Sequence, residues 1–220
     1  MPAVPPPSDC PSATGPKLFS LAAGTVLWRV HRIGHDATDF RSTGAVQKRA
    51  DPKTHGAEGR FDCQTGEYGY LYAGETKKTT IAEAFLRGDV VADPSARILR
   101  RAKADNTVLS RIEVVADLTL VDLRGAAGLG RVGQTDWLTS CNEDDYPMTQ
   151  QWATAIRRWA ASTSGLIWQS KRDDVHFALV LFDDGAAPGG ITGRPHQRLD
   201  APLGRTLLEK SLAEFNVVLG

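Results

Sequence analysis

Apolar and polar positions alternate in short runs along most of this chain, and the runs change period several times. VLWRVHRI, from Val26 to Ile33, has the length and β-branched content of a strand, with Arg29 and Arg32 on opposite faces. The stretch GRFDCQTGEYGYLYAGE predicts a hairpin-like unit: a strand end, a turn around Thr65-Gly66 and a second strand from Tyr68 to Ala73. In TTIAEAFLRG, the residues Ile81, Ala82, Phe85 and Leu86 form one apolar face and Gly88 supplies a stop, so a short amphipathic helix is expected. Thr107 to Val115 and Leu118 to Leu123 read as strands separated by an Ala116-Asp117 turn. Residues 124–145 are Gly-rich and polar and predict a loop. Between Pro147 and Ser164, the residues Met148, Trp152, Ala155, Ile156 and Trp159 recur at helical spacing, with Gly165 placed to end the helix. GLIWQS and HFALVLFD predict two strands joined by a charged turn, and LLEKSLAEFNVVL a closing helix or strand. Segregated strands with a few helices, and no internal repeat, predict an α+β fold.

The two ends of this pattern differ. Residues 1–16 are rich in Pro and Ser and lack periodicity, so they are expected to form a disordered extension ahead of a single domain over 17–220. Residues 34–58 read as one long polar loop, a length that compact domains usually reserve for function or motion. With 220 residues and 41% hydrophobic content, one domain can bury a core of its own. Lys plus Arg number 26 and Asp plus Glu 26, which removes any overall field drawing the chain to nucleic acid or an anionic membrane. Neither a secretory signal nor an apolar run of membrane-spanning length is present, so the expected location is cytoplasmic. Cys10, Cys63 and Cys141 are too few and too scattered for a disulfide framework or a zinc site, and the five histidines show no metal-ligand spacing. No metal is expected.

Candidate chemistry concentrates between Gly59 and Gly88. Arg60 offers a planar donor fork for phosphate or carboxylate. Tyr72 offers a ring face and a hydroxyl, and Glu83 a carboxylate of the kind that stabilises positive charge on a sugar during glycosidic cleavage. Structural readings stand beside these. A lone arginine next to glycine is commonly a solvated strand end, and Tyr68, Tyr70 and Tyr72 alternate as an aromatic stripe would. Thr80-Ile81-Ala82-Glu83 spells a capping box, which on these residues alone outweighs a chemical role for Glu83. Ser170 reads as a polar strand end before a turn. Gly128, Gly130 and Gly133 spell GxGxxG without the strand-turn-helix setting that a dinucleotide loop requires.

Three segments shift this balance. LWRV at 27–30, EGRFDCQTGEYGYLYAGETKKTTIAEAFLRG at 58–88 and GLIWQSKRDD at 165–174 together resemble the RES domain, named for an arginine, a glutamate and a serine. The resemblance runs from about residue 26 to 185, and the middle segment is its specific part. It places the family arginine on Arg60, the tyrosine on Tyr72, the glutamate on Glu83 and the serine on Ser170, and it matches Arg29 to a further recurrent position. What it implies is a split β-sheet with flanking helices, similar to ADP-ribosyltransferases, and a toxin that degrades NAD by phosphorolysis or hydrolysis. Arg60, Tyr72, Glu83 and Ser170 would be catalytic, with Arg29, Arg60 and Tyr72 contacting the dinucleotide. NAD would be a substrate and inorganic phosphate a co-substrate, with no permanently bound cofactor. The implied partner is an Xre-like antitoxin. Protein ADP-ribosyl transfer and a non-catalytic binding module are the alternatives, and oligomeric state is left open.

Overall fold

The computed structural model describes residues 4–41, 59–86, 90–92 and 97–220. In chain order the elements are β1 (Leu18–Leu21), β2 (Val26–Arg32), β3 (Tyr70–Gly74), α1 (Lys77–Phe85), β4 (Val90–Ala92), β5 (Arg97–Leu99), β6 (Thr107–Val114) and β7 (Leu118–Asp122). Helices α2 (Gly125–Arg131), α3 (Trp137–Ser140) and α4 (Tyr146–Trp159) follow, then β8 (Gly165–Gln169) and β9 (Phe177–Phe182). The chain closes with α5 (Ala187–Gly190), β10 (Ile191–Arg198), α6 (Pro202–Ala213) and β11 (Val217–Leu219).

Eight strands form one sheet in the order β1-β7-β8-β9-β3-β2-β6-β10, and β11-β5-β4 form a smaller one. The large sheet is split: β2 pairs with β6 from Val26 opposite Glu113 to Arg32 opposite Thr107, but meets β3 only at Trp28 opposite Gly74. Beyond that point Arg41 bridges to Tyr70 instead. The expected α+β class and the split sheet with flanking helices are therefore what the chain adopts.

Side-chain alternation assigns each sheet face its own core. Tyr70, Tyr72, Leu166, Trp168, Ala178, Val180 and Phe182 face one way and pack with Phe61, Leu129, Trp152 and Ile156. Leu71, Ala73, Ile167, Leu179 and Leu181 face the other way and meet Leu27, Ile112, Leu118 and Leu120. A third cluster packs α1 and α6 together through Ile81, Phe85, Leu208 and Leu212, with Trp28 and Val30 of β2 against it.

Several boundaries differ from the pattern-based expectation. Residues 124–145 are largely helical, as α2 and α3, because Gly128 lets α2 settle on the backbone of Asp122, where a Cβ would collide with the carbonyl. Residues 59–69 form no first hairpin strand; Gly59 and Asp62 close a turn instead. Helix α4 ends at Trp159, and Gly165 opens β8 rather than stopping the helix, since a Cβ there would run into the Val180 carbonyl. The C-terminal run contains both a helix and a strand. The Gly128–Gly133 motif lies in and just beyond α2, with no preceding strand-to-helix phosphate turn built on it. Of the loop expected over 34–58, residues 42–58 lie outside the described residues, as does the Gly88 stop.

Residues 4–16, expected from composition to be disordered, have a defined course along α4. The indole Nε1 of Trp152 donates to the Val4 carbonyl at 2.8 Å and that of Trp159 to the Ser8 carbonyl at 3.0 Å. Cys10 Sγ and Ser12 reach Arg131 at the end of α2. Composition predicted no burial for this segment, but it supplies acceptors to two indole donors. Among the described residues, no helix is long and apolar enough to cross a membrane.

Candidate active site

Helix α1 starts where Thr76 caps it, its side chain accepting from the Thr79 amide at 3.0 Å, a bond of about 1 kcal/mol in helix caps generally. The Thr80-Glu83 capping box is thus not the one in use. The helix lies on the bare backbone of Gly74, where a Cβ would meet Thr80 Oγ1 at 2.6 Å, and Thr80 Oγ1 donates to the Trp28 carbonyl across the sheet split. Glu83 is turned inward by this seating and is 8% exposed.

What Glu83 meets is Ser170. The serine hydroxyl donates to Glu83 Oε1 at 2.6 Å, and its oxygen accepts from the Arg172 and Asp173 amides at 3.2 and 3.1 Å. Arg172 places Nη1 3.5 Å from Glu83 Oε2 and donates from Nε to the Leu86 carbonyl. The turn carrying these groups is bound back to α1 by Asp173, which accepts from Thr79 Oγ1 at 2.7 Å and from His176 Nδ1 at 3.0 Å. Burial pushes the Asp173 carboxyl up, but the hydrogen bonds from Thr79 and His176 outweigh it and hold the group below the usual carboxylate range.

Arg60 and Tyr72 form a second pair. Tyr72 projects from β3 on the same face as Trp168, their ring centroids 6.2 Å apart, and its hydroxyl accepts from the Phe61 amide at 2.8 Å. Arg60 is 3% exposed, lies over the Tyr146 ring at 5.4 Å and donates to the Cys141 carbonyl at 3.3 Å; its Nε is buried and has no hydrogen-bond partner among the described residues. Burial raises the Cys141 thiol above its ordinary value against the pull of the adjacent Arg60 guanidinium.

Trp168 connects the two pairs along the chain, its ring 6.2 Å from that of Tyr72. Ser170 follows two residues after it, and Lys171 donates to the Ser140 carbonyl, next to the Cys141 carbonyl that Arg60 uses. Like the Arg60 Nε, the Trp168 Nε1 is buried without a hydrogen-bond partner among the described residues. Arg29 joins neither pair. It shares a face of β2 with Leu27 and His31, opposite the face of Trp28, and donates to the Ala37 carbonyl at 2.8 Å. Burial draws its pKa down to about 10. The register across β2 and β3 sets Trp28 with Gly74 and Tyr72, and so leaves Arg29 turned away from them.

A family model described as RES domain matches residues 26–201, most of the chain. The chain belongs to the RES-domain family. No curated protein matches it. Among solved structures, the crystal structure of the M. tuberculosis MbcT-MbcA toxin-antitoxin complex contains a chain of the same fold, with a TM-score of 0.55 and 16% sequence identity over 91% of this chain and 93% of that one. Two residues of this RES domain that motif reasoning passed over sit at its centre. Asp62 accepts from the Tyr72 hydroxyl at 2.9 Å and from the Tyr70 hydroxyl at 2.8 Å, and the Trp168 ring packs edge-on against Phe61 and Tyr72. The FDC string showed Asp62 between apolar residues, a placement that calls for a buried partner.

Proposed function

We propose that this RES-domain protein cleaves the bond between nicotinamide and ribose in NAD, and that it acts as a bacterial toxin restrained by an Xre-like antitoxin. The observation that carries the reading is the buried contact between Ser170 and Glu83: two main-chain amides fix the serine, and the serine fixes one carboxylate oxygen. Departure of nicotinamide takes the bonding electron pair with it and leaves positive charge on the sugar. A carboxylate held beforehand stabilises that charge without reorganising. Ser170 thus orients the glutamate. Arg60, whose Nε has no partner among the described residues, is suited to a phosphate oxygen, and the Tyr72 ring to a flat nicotinamide or ribose edge. Phosphate or water then bonds to the anomeric carbon. The toxin role rests on family membership and on the fold shared with a chain of the toxin-antitoxin complex.

The test is nicotinamide release from NAD by the purified protein, with and without inorganic phosphate, alongside Glu83→Gln. Release by the wild type that the substitution abolishes supports the reading, and phosphate dependence identifies the acceptor. No NAD consumption in either buffer refutes it, and label transferred from NAD to a protein band replaces it with ADP-ribosyl transfer.

A further inference from the structure

Asp62 has no place in the scheme above, yet it is among the most deeply buried acids of the described residues, at 4% exposure. One oxygen, Oδ1, accepts from the Tyr72 hydroxyl at 2.9 Å. The other accepts from the Tyr70 hydroxyl and from the Gly59 amide, both at 2.8 Å. Tyr70 and Tyr72 are two apart on β3 and project from one face, so a single carboxylate receives both phenols. Approach this close requires a bare backbone on the far side: a Cβ at Gly59 would lie 2.5 Å from Asp62 Oδ1 and 2.6 Å from the Tyr72 hydroxyl.

The same turn is held from its other side by α4. Gln150 donates to the Gly59 carbonyl at 2.9 Å and Thr149 to the Arg60 carbonyl at 2.7 Å. Helix α4 therefore grips the carbonyls of residues 59 and 60, while Asp62 ties the turn to β3. We infer that Asp62 is a positioning residue, the joint that fixes the Arg60 turn against the strand carrying Tyr72. The inference rests on the proposed NAD site and adds a constraint to it. The Tyr72 hydroxyl uses its proton on Asp62 and accepts from Phe61, so the residue meets substrate through its ring and does not serve as a proton donor.

Asp62 faces Tyr70, Tyr72, the Gly59 amide and the positive charge of Arg41, with Tyr68 also within its field. Burial raises its pKa, partly offset by these donors. Protonation converts one acceptor oxygen into a donor, and no partner here accepts from it except by giving up its own bond. Activity should therefore fall as pH drops through the Asp62 titration, above the normal carboxylate range.

The experiment measures kcat and KM for NAD against pH on the full chain, with Asp62→Asn and Tyr70→Phe, and amide exchange at residues 59–61. Asp62→Asn, which cannot accept on both sides, should lower kcat/KM by roughly 10- to 100-fold at neutral pH, as loss of a hydrogen bond to a charged group does, and should abolish the acid limb. Tyr70→Phe removes one donor to Asp62, so the acid limb should move to higher pH with a smaller loss of activity. Amides of Gly59 and Phe61 should exchange faster in Asp62→Asn. A folded Asp62→Asn with unchanged kcat/KM and an unchanged acid limb overturns the inference. Should that variant not fold, an unmoved limb in Tyr70→Phe does the same. If the wild type consumes no NAD the proposed function fails, and the joint is then judged by exchange alone, with unaltered protection of residues 59–61 refuting it.

Discussion

Ser170→Ala removes one hydroxyl and three hydrogen bonds at once. The largest is the donation to Glu83 Oε1 at 2.6 Å, a bond to a carboxylate. Such bonds contribute about 1.5–3 kcal/mol, which on the transition-state scale is roughly a 10- to 150-fold loss in kcat. The Arg172 and Asp173 amides also lose their acceptor, and each such amide left unpaired costs a further ~1–3 kcal/mol of stability. Arg172 remains beside Oε2, so Glu83 keeps one partner and activity is reduced, not abolished. The decisive assay is a double-mutant cycle on nicotinamide release with Ser170→Ala, Glu83→Gln and the double variant. If the serine works through the glutamate, adding Ser170→Ala to Glu83→Gln costs little more than Glu83→Gln alone. Losses that simply multiply would show that Ser170 acts on the substrate independently, and the orienting role derived from the 2.6 Å contact would be wrong.

Three further outcomes are expected. The folded-state pKa of Asp173 is depressed, so its contribution to stability is present above the unfolded carboxylate value of about 4 and is lost as pH falls through the folded value; urea unfolding between acid and neutral pH should show this limb flattened in Asp173→Asn. Arg60→Lys keeps the charge but gives up the planar fork over Tyr146 and the bond to the Cys141 carbonyl, and should lower kcat/KM for NAD by about 10-fold or more; equal activity would refute the phosphate contact proposed for the guanidinium. Gly165→Ala forces a methyl group into the Val180 carbonyl and should destabilise the fold by about 1–3 kcal/mol or more, read as a lowered Tm.

Elements with one strong period were legible in the order of residues alone. β2, β6, β7, β8 and β9 bury at least one face on the large sheet, and α4 carries its apolar stripe at helical spacing. Those that escaped lack such a stripe. In α2 (GAAGLGR) three glycines lower intrinsic helicity, and the helix forms because tertiary contact with Asp122 rewards it. In β10 (ITGRPHQR) the residues from Thr192 to His196 are exposed, and the strand exists through its pairing with β6, interrupted near Pro195. Glu83 was ambiguous for a related reason: a capping box and an inward-facing acid share one local sequence. Thr76 taking the cap, and Ser170 arriving from 87 residues away, decided between them. The role of Asp62 was not legible, although its setting between Phe61 and Cys63 called for a partner, because the two tyrosines that bind it read as an aromatic stripe.

The amino-terminal strap has a further consequence. Trp152 and Trp159 are seven positions apart on α4, about 10.5 Å along a helix, while Val4 and Ser8 are four apart, about 12 Å in a polyproline-like run. Both indoles clasp main-chain oxygens, so this latch measures distance and is indifferent to which side chains lie between. Swapping Pro5, Pro6 or Pro7 for other residues should leave the latch closed, whereas inserting or removing a single residue there puts one oxygen out of reach. The span between the two oxygens, rather than the identity of the residues, is the property that an amino-terminal fusion or trimming of this protein must preserve.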